Sequence, residues 1–468
     1  MNYWFMLKSA SISITMFRTL LRQSAIILIC FISSPGTTYS QPSQDIEKFL
    51  QLSSNQKNVR NEALKYVDDN WQPDYVIMLL DIIYLSRDPE FTLELLNLLK
   101  TKTGKNYGYS FHQWYEWIWN NEPLIHPNYG FFKATLYGRI DPKFKNYFND
   151  HQTRKIRLDE VLWGGVQQDG IPPLRSPEMA SAQEATFMEN DNVVFGIEIN
   201  GDARAYPKRI LAWHEMFVDS VGSIPVAGVY CTLCGTMILY KTEHKGTKYN
   251  LGTSGFLFRS NKLMYDRETQ SLWNTLWGEP VIGSLAEQDI ALERLSVVTT
   301  TWEEWKKRHP DTKVLSLNTG HIRDYSEGAA YREYFATDEL MFNIPKRDYR
   351  LRNKDEILGL ILSDFPDKPL ALSAKFLKRK PLYHDKIEDK HLVILTDRSG
   401  ANRVYETKGE IFEKWDKENT LIDDKGVTWT LSESNLKSKH GKILHRLPAH
   451  RAFWFGWFSA YSHTRLVK

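Results

Sequence analysis

The chain repeats itself, and the repeat limits what its C-terminal two thirds can fold into. Leu295, Trp302, Trp305, Thr312 and Val314 recur with identical spacing as Leu447, Trp454, Trp457, Thr464 and Leu466. Upstream, Val229 to Tyr240 aligns with Ile394 to Tyr405 without a gap, which places Gly235 on Gly400. Asp266 and Trp273 have looser counterparts in Asp423 and Trp429. Two diverged copies of one unit are expected, over residues 156–320 and 321–468, packed together as a pseudo-dimer. Within a copy, Asn192 to Ile199 has strand-type patterning, and Asn200-Gly201 is a two-residue hairpin signal before Ala203 to Tyr206. Pro207 to Phe217 then reads as a proline-started helix. The fold class is therefore α+β, with a β-rich core. The repeat tryptophans are expected to pack the copies together.

The copies differ at one stretch. Val226 to Tyr240 (VAGVYCTLCGTMILY) reads as strand, tight turn, strand, with Cys231 and Cys234 in the turn. The second copy has Thr396 and Ser399 at those positions, and it has no histidine where His214 would map. The thiols are thus dispensable for folding, and chemistry is expected in the first copy alone.

Ahead of the copies, residues 41–150 pattern as helices. Val59, Ala63, Leu64 and Val67 recur at helical spacing; Val76 to Leu85 and Phe91 to Leu99 are apolar helices separated by Ser86-Arg87-Asp88-Pro89, a helix stop and restart. Paired short helices of this kind are HEAT-like. Residues 1–40 read as an export signal. Arg18 and Arg22 precede the short apolar core Ser24 to Ile32, and Thr38-Tyr39-Ser40 forms a cleavage site. Export places the mature protein in the periplasm or outside the cell. Without Lys8, Arg18 and Arg22, the 60 basic residues fall to 57 and equal the 57 acidic ones. That balance excludes broad nucleic-acid binding, and no later apolar stretch is long enough to span a membrane. Expected partners are a small molecule or an envelope protein.

Two thiols spaced by two residues support several chemistries. They can bind a soft or borderline metal, Zn²⁺ or Cu⁺, with His214 as the leading third ligand. Glu215 would then orient the imidazole or act beside the metal, with Tyr206, Asp266 and Arg267 as supporting candidates. Alternatively the pair cycles between dithiol and disulfide in an oxidoreductase of the envelope. A static disulfide pinning the turn is a third reading. A non-catalytic scaffold that binds a partner through its helical arm is a fourth. Cys-Thr-Leu-Cys-Gly lacks the histidine of c-type haem attachment, and Thr253-Ser254-Gly255 lacks the context of a hydrolase elbow.

The segments ARAYPKRILAWHE, VYCTLCGT, TSGFLFRSNKLMYDRETQSLW and LPAHRAFWFGWFSAYSHTRLV resemble the motif series of an exported family called domain of unknown function 3179. The resemblance covers residues from about 156 to the C-terminus. It implies no particular chemistry, since the family has no established activity. The family's usual pattern places proline between the cysteines, where this chain has Thr232-Leu233. The helical N-terminal segment resembles one of the family's accessory extensions.

Overall fold

A computed structural model describes residues 43–468, so the expected signal segment lies outside the described residues. Six α-helices come first, from Gln44–Gln51 to Tyr129–Tyr137. The stop-and-restart signal behaves as its chemistry requires. The Asp88 carboxylate accepts from the N–H groups of Glu90 and Phe91, Pro89 occupies the first turn, and Gly104 closes the helix in the left-handed region at φ 70°. The third helix, Tyr75–Leu85, is buried along most of its length. The helices do not stand apart. Their apolar residues form one core with Val161, Phe256, Phe258, Leu263 and Val281 of the neighbouring sheet, and the Phe144 and Phe256 rings lie 4.8 Å apart.

The remainder is strand-rich, as an α+β chain should be. In the first half one sheet runs in the order Val298–Thr301, Val193–Ile199, Asp202–Pro207, Lys313–Leu315, Met179–Ser181. In the second half the order is Ala449–Phe453, Glu356–Leu362, Phe365–Ser373, Arg465–Val467. The pairings also match: the first three strands of each series are antiparallel, and the fourth joins in parallel. A second sheet also corresponds between the halves, here with all four strands antiparallel. Met216–Val221, Ile224–Cys231, Thr236–Lys241 and Arg294–Leu295 have their counterparts in Leu382–Ile387, Lys390–Thr396, Asn402–Glu406 and Ile443–Leu447.

The Asn200-Gly201 hairpin forms with both residues at positive φ, 51° and 82°, the conformation that matches the strand twist. The helix after it is shorter than its sequence pattern suggests. It covers Lys208–His214, because Glu215 turns left-handed at φ 54° and Met216 joins a strand opposite Val229.

The repeated tryptophans do the same work twice. Trp305 Nε1 donates to Thr312 Oγ1 at 2.9 Å, and Trp457 Nε1 donates to Thr464 Oγ1 at 3.0 Å. Each indole lies on a strand glycine. A Cβ at Gly196 would come within 2.3 Å of the Trp305 ring, and one at Gly359 within 2.2 Å of Trp457. Between halves, Trp302 and Trp305 share a core with Ala401, while Trp454 and Trp457 share one with Met216, Val229 and Trp273.

Overpacking a buried ring costs about 1–3 kcal/mol. Gly196→Ala and Gly359→Ala are therefore each expected to lower the unfolding free energy by about that amount in urea titrations. A loss at only one of the two positions would break the structural equivalence of the halves.

Candidate functional site

Cys231 ends the strand Ile224–Cys231 and pairs with Thr236 across the expected tight turn. Gly235 closes that turn at φ 58°, and its N–H donates to the Thr232 carbonyl at 3.3 Å. Both thiols are unbonded and buried. Beneath them lies a second tight turn, where Arg259 and Ser260 both take positive φ between the strands Leu251–Phe258 and Asn261–Asp266. The Cys234 thiol donates to the Ser260 carbonyl at 3.4 Å.

The two sulfurs differ in acidity. Burial pushes the Cys231 thiol up, but the Cys234 thiol and the backbone N–H groups of Lys262 and Cys234 outweigh it, leaving Cys231 below the ordinary value. Burial and the neighbouring Cys231 push the Cys234 thiol well above it.

Next to the thiols sits a buried ion pair. Left-handed Glu215 ends its helix there, and its Oε1 accepts from the Thr232 hydroxyl at 2.9 Å and the Tyr331 hydroxyl at 3.1 Å. Lys262 Nζ lies 3.2 Å from Oε2 and also donates to the Glu215 carbonyl at 3.2 Å. The side chains are only 6% and 10% exposed, so neither charge is satisfied by water. Thr232 lies between the cysteines and ties this pair to the thiol turn.

Two further segments seal the site. Residues 316–355 link the halves with a single short helix, Arg332–Ala336. Tyr331, Tyr334, Phe335, Met341 and Phe342 from this strap pack over the thiols, and the Tyr334 hydroxyl donates to the Leu233 carbonyl at 2.8 Å. From the second half, Phe453 N–H donates to the Cys234 carbonyl at 2.7 Å. A Cβ at Gly235 would touch the Phe453 ring, and one at Gly456 would touch Cys234 Cβ, each at 2.9 Å. The thiol turn is thus buried by the contact between halves.

The structure brings Glu215 to the cysteines but not the other expected residues. His214 is the main correction. Its Nδ1 faces the Pro172 carbonyl at 2.9 Å, which must accept, so Nε2 accepts from the Tyr325 hydroxyl at 2.6 Å. Both ring nitrogens are therefore committed away from the sulfurs. Among the described residues no group of three or more His, Cys, Asp or Glu side chains is arranged to hold a metal ion. Glu215 accordingly binds Thr232, Tyr331 and Lys262, not the imidazole.

Asp266 accepts from the Thr269 N–H and hydroxyl, both at 2.7 Å, so it caps a turn. Arg267 reaches Asp169 at 3.8 Å from a partly exposed position. Both lie at the far end of the strand that starts near Lys262, about 13 Å along it at roughly 3.3 Å per residue. The Tyr206 hydroxyl donates to Asp219 at 2.8 Å, beside the Arg204–Asp219 ion pair. Sequence reasoning missed Lys262, Thr232 and Tyr331. A lysine directly before the apolar run Leu263-Met264-Tyr265 of a fully buried strand was the available signal for the first of these.

A family model described as "Protein of unknown function (DUF3179)" matches residues 168–464. The chain belongs to this family. No curated protein and no solved structure matches it.

Burial lowers the His214 pKa from 6.5 to about 4, against the opposing pull of the Pro172 carbonyl. The unfolded chain takes a proton near the ordinary value while the folded imidazole refuses it. Stability is thus full above 6.5 and falls as pH drops toward about 4. Urea titrations across that window should show a shallower fall in His214→Gln than in the parent. An unchanged slope would mean that the buried imidazole does not carry the effect.

Proposed function

We propose that Cys231 and Cys234 form a buried dithiol–disulfide couple, which makes this family member a thiol–disulfide oxidoreductase. The observation that carries the reading is the pair of unbonded, buried thiols two residues apart on one turn; the shifts of the two groups point to Cys231 as the more acidic sulfur. A thiolate is the nucleophile in exchange, so Cys231 is the attacking sulfur. It bonds to one sulfur of a partner disulfide and releases the other as a thiolate. Cys234 then loses its proton and attacks Cys231, which frees the second partner thiol. The protein ends as the disulfide and the partner as the dithiol. The export signal, if it acts as its sequence suggests, places the partner among envelope or secreted molecules. Among the described residues no helix is long and apolar enough to cross a membrane.

We read the two halves as copies of one unit, of which the first keeps the chemistry, and the helical segment as a HEAT-like extension. The strap bears on access, since the thiols must be uncovered before a partner disulfide can reach them. Tyr334 pins that strap to the thiol turn through the Leu233 carbonyl.

A hydrogen bond of this kind is worth about 1 kcal/mol net, so Tyr334→Phe should speed alkylation of Cys231 about fivefold. In the full chain carrying Cys30→Ser, equilibration with glutathione mixtures should convert the dithiol to an intramolecular disulfide at one defined potential. Mass spectrometry after alkylation reads the conversion. A chain that stays dithiol in every mixture would sink the reading. Metal retained by anaerobically purified protein and lost in Cys231→Ser would replace it with a ligand role for the thiols.

A further inference from the structure

The segments that lead into the two halves end alike and begin differently. Trp302 N–H donates to the Asn192 carbonyl at 2.9 Å and Glu303 N–H to Asn190 at 3.0 Å. In the second half Trp454 N–H donates to Asp355 at 2.9 Å and Phe455 N–H to Asn353 at 3.0 Å. Upstream the paths part. Met179-Ala180-Ser181 precedes Gly196 by the same interval as Phe342-Asn343-Ile344 precedes Gly359, the two glycines beneath the matching tryptophans. Met179–Ser181 pairs antiparallel with Lys313–Leu315 and covers that edge of its sheet. Phe342 instead packs against the thiols, and Ile344 against Phe453.

The corresponding edge of the second half is open. Arg465–Val467 is the last strand of its sheet, and among the described residues no strand pairs with its outer side. Val314 and Leu315 are fully buried under their extra strand, while Leu466 and Val467 are only partly buried. An unpaired edge presents N–H and C=O groups that accept another strand. Ser316 N–H donates to the Glu178 carbonyl at 2.9 Å, so Val314, two residues earlier, faces the same way. Their counterparts on the open edge are Lys468 and Leu466.

Resting on the reading of the thiols as reactive, we infer that the strap is a lid with two seats. Residues 342–344 leave the thiols and join Arg465–Val467 as an antiparallel edge strand, as residues 179–181 do in the first half. The reach is sufficient. Residues 345–355 connect Ile344 to Glu356, and residues 182–192 connect Ser181 to Val193, eleven in each case. The strap already passes the open edge, since Lys468 Nζ donates to the Arg350 carbonyl at 3.0 Å. A hinge lies at its other end. Tyr331 is held at φ 57°, a conformation that bulky side chains resist, and it follows Gly328 at φ 71° and two alanines. The covered seat is the resting one, because opening gives up the Tyr334–Leu233 bond and the aromatic packing over the thiols. The surface vacated beside Cys231 is lined by Leu233, Leu257 and Phe453, which suits a partner disulfide flanked by apolar residues.

The test traps the second seat. In the full chain carrying Cys30→Ser, Cys231→Ser and Cys234→Ser, the pair Asn343→Cys/Leu466→Cys would face each other with Cα atoms about 5.5 Å apart, within disulfide range. Oxidation with glutathione disulfide should yield a peptide linking positions 343 and 466. Because strand register is specific, it should form about tenfold faster than the link in the off-register pair Asn343→Cys/Lys468→Cys. Equal rates in the two pairs, or no link at all, would overturn the inference. A second measurement keeps the thiols in place. Added to Cys30→Ser alone, Leu466→Pro removes an outward N–H from an edge strand, a position where proline is tolerated. With one hydrogen bond lost from the open seat, iodoacetamide should alkylate Cys231 about fivefold more slowly. Alkylation at the parental rate in the folded variant would likewise overturn the lid. A chain that passes both tests yet stays dithiol in every glutathione mixture would remove the oxidoreductase reading and leave the lid standing.

Discussion

A buried carboxylate must be paired, and at Glu215 that requirement organises the site. The charge sits on a left-handed residue at a helix end, with almost no water in reach. Lys262, Thr232 and Tyr331 each contribute one partner, and they come from three separate segments: a strand, the thiol turn and the strap. Satisfying one acid therefore fixes how these segments meet. The thiols, which flank Thr232 in the turn, inherit that geometry.

The two halves show what happens when the same framework is filled differently. Both share a matching series of four strands in each of two sheets and the same tryptophan–threonine bond. At the turn equivalent to the thiols, the second half uses Asp397, whose other oxygen pairs with buried Arg403 at 2.8 Å. Arg403 continues to Glu433, whose carboxylate also pairs with Arg446. That network stabilises a turn without reactive groups. The first half leaves its turn to be held from outside, by Phe453, Tyr334 and Glu215, and so leaves two sulfurs free. Each turn also touches the opposite half, Cys234 through Phe453 and Ser399 through Thr300, where the two hydroxyls lie 3.0 Å apart.

Much of the fold was legible where a local rule applied. Asn200-Gly201 specified its hairpin because few other residues accept two successive positive φ angles. Asp88-Pro89 specified a helix start because a carboxylate there satisfies free N–H groups. The thiol turn was legible as strand, turn, strand from its flanking apolar runs. The metal triad was not, because adjacency in sequence says nothing about direction. His214 and Glu215 are neighbours, yet the left-handed turn at Glu215 sends the carboxylate toward the thiols while the imidazole faces Pro172 and Tyr325. Asp266 and Arg267 lie away from the thiol turn for a related reason: Asp266 ends the strand that carries Lys262, and Arg267 follows it.

By itself the sequence determined the α+β class, the helical N-terminal segment and the position of the two thiols on a turn between strands, since these rest on periodicity, turn chemistry and spacing within one stretch of chain. Only the tertiary structure decided which charged groups stand beside the sulfurs and what covers them. Lys262, Tyr331 and Phe453 are distant in sequence, and burial alone gave each of them a reason to meet the thiol turn. A buried charge or amide must find its partner wherever the chain's packing delivers one, and that choice is made between elements, not within them.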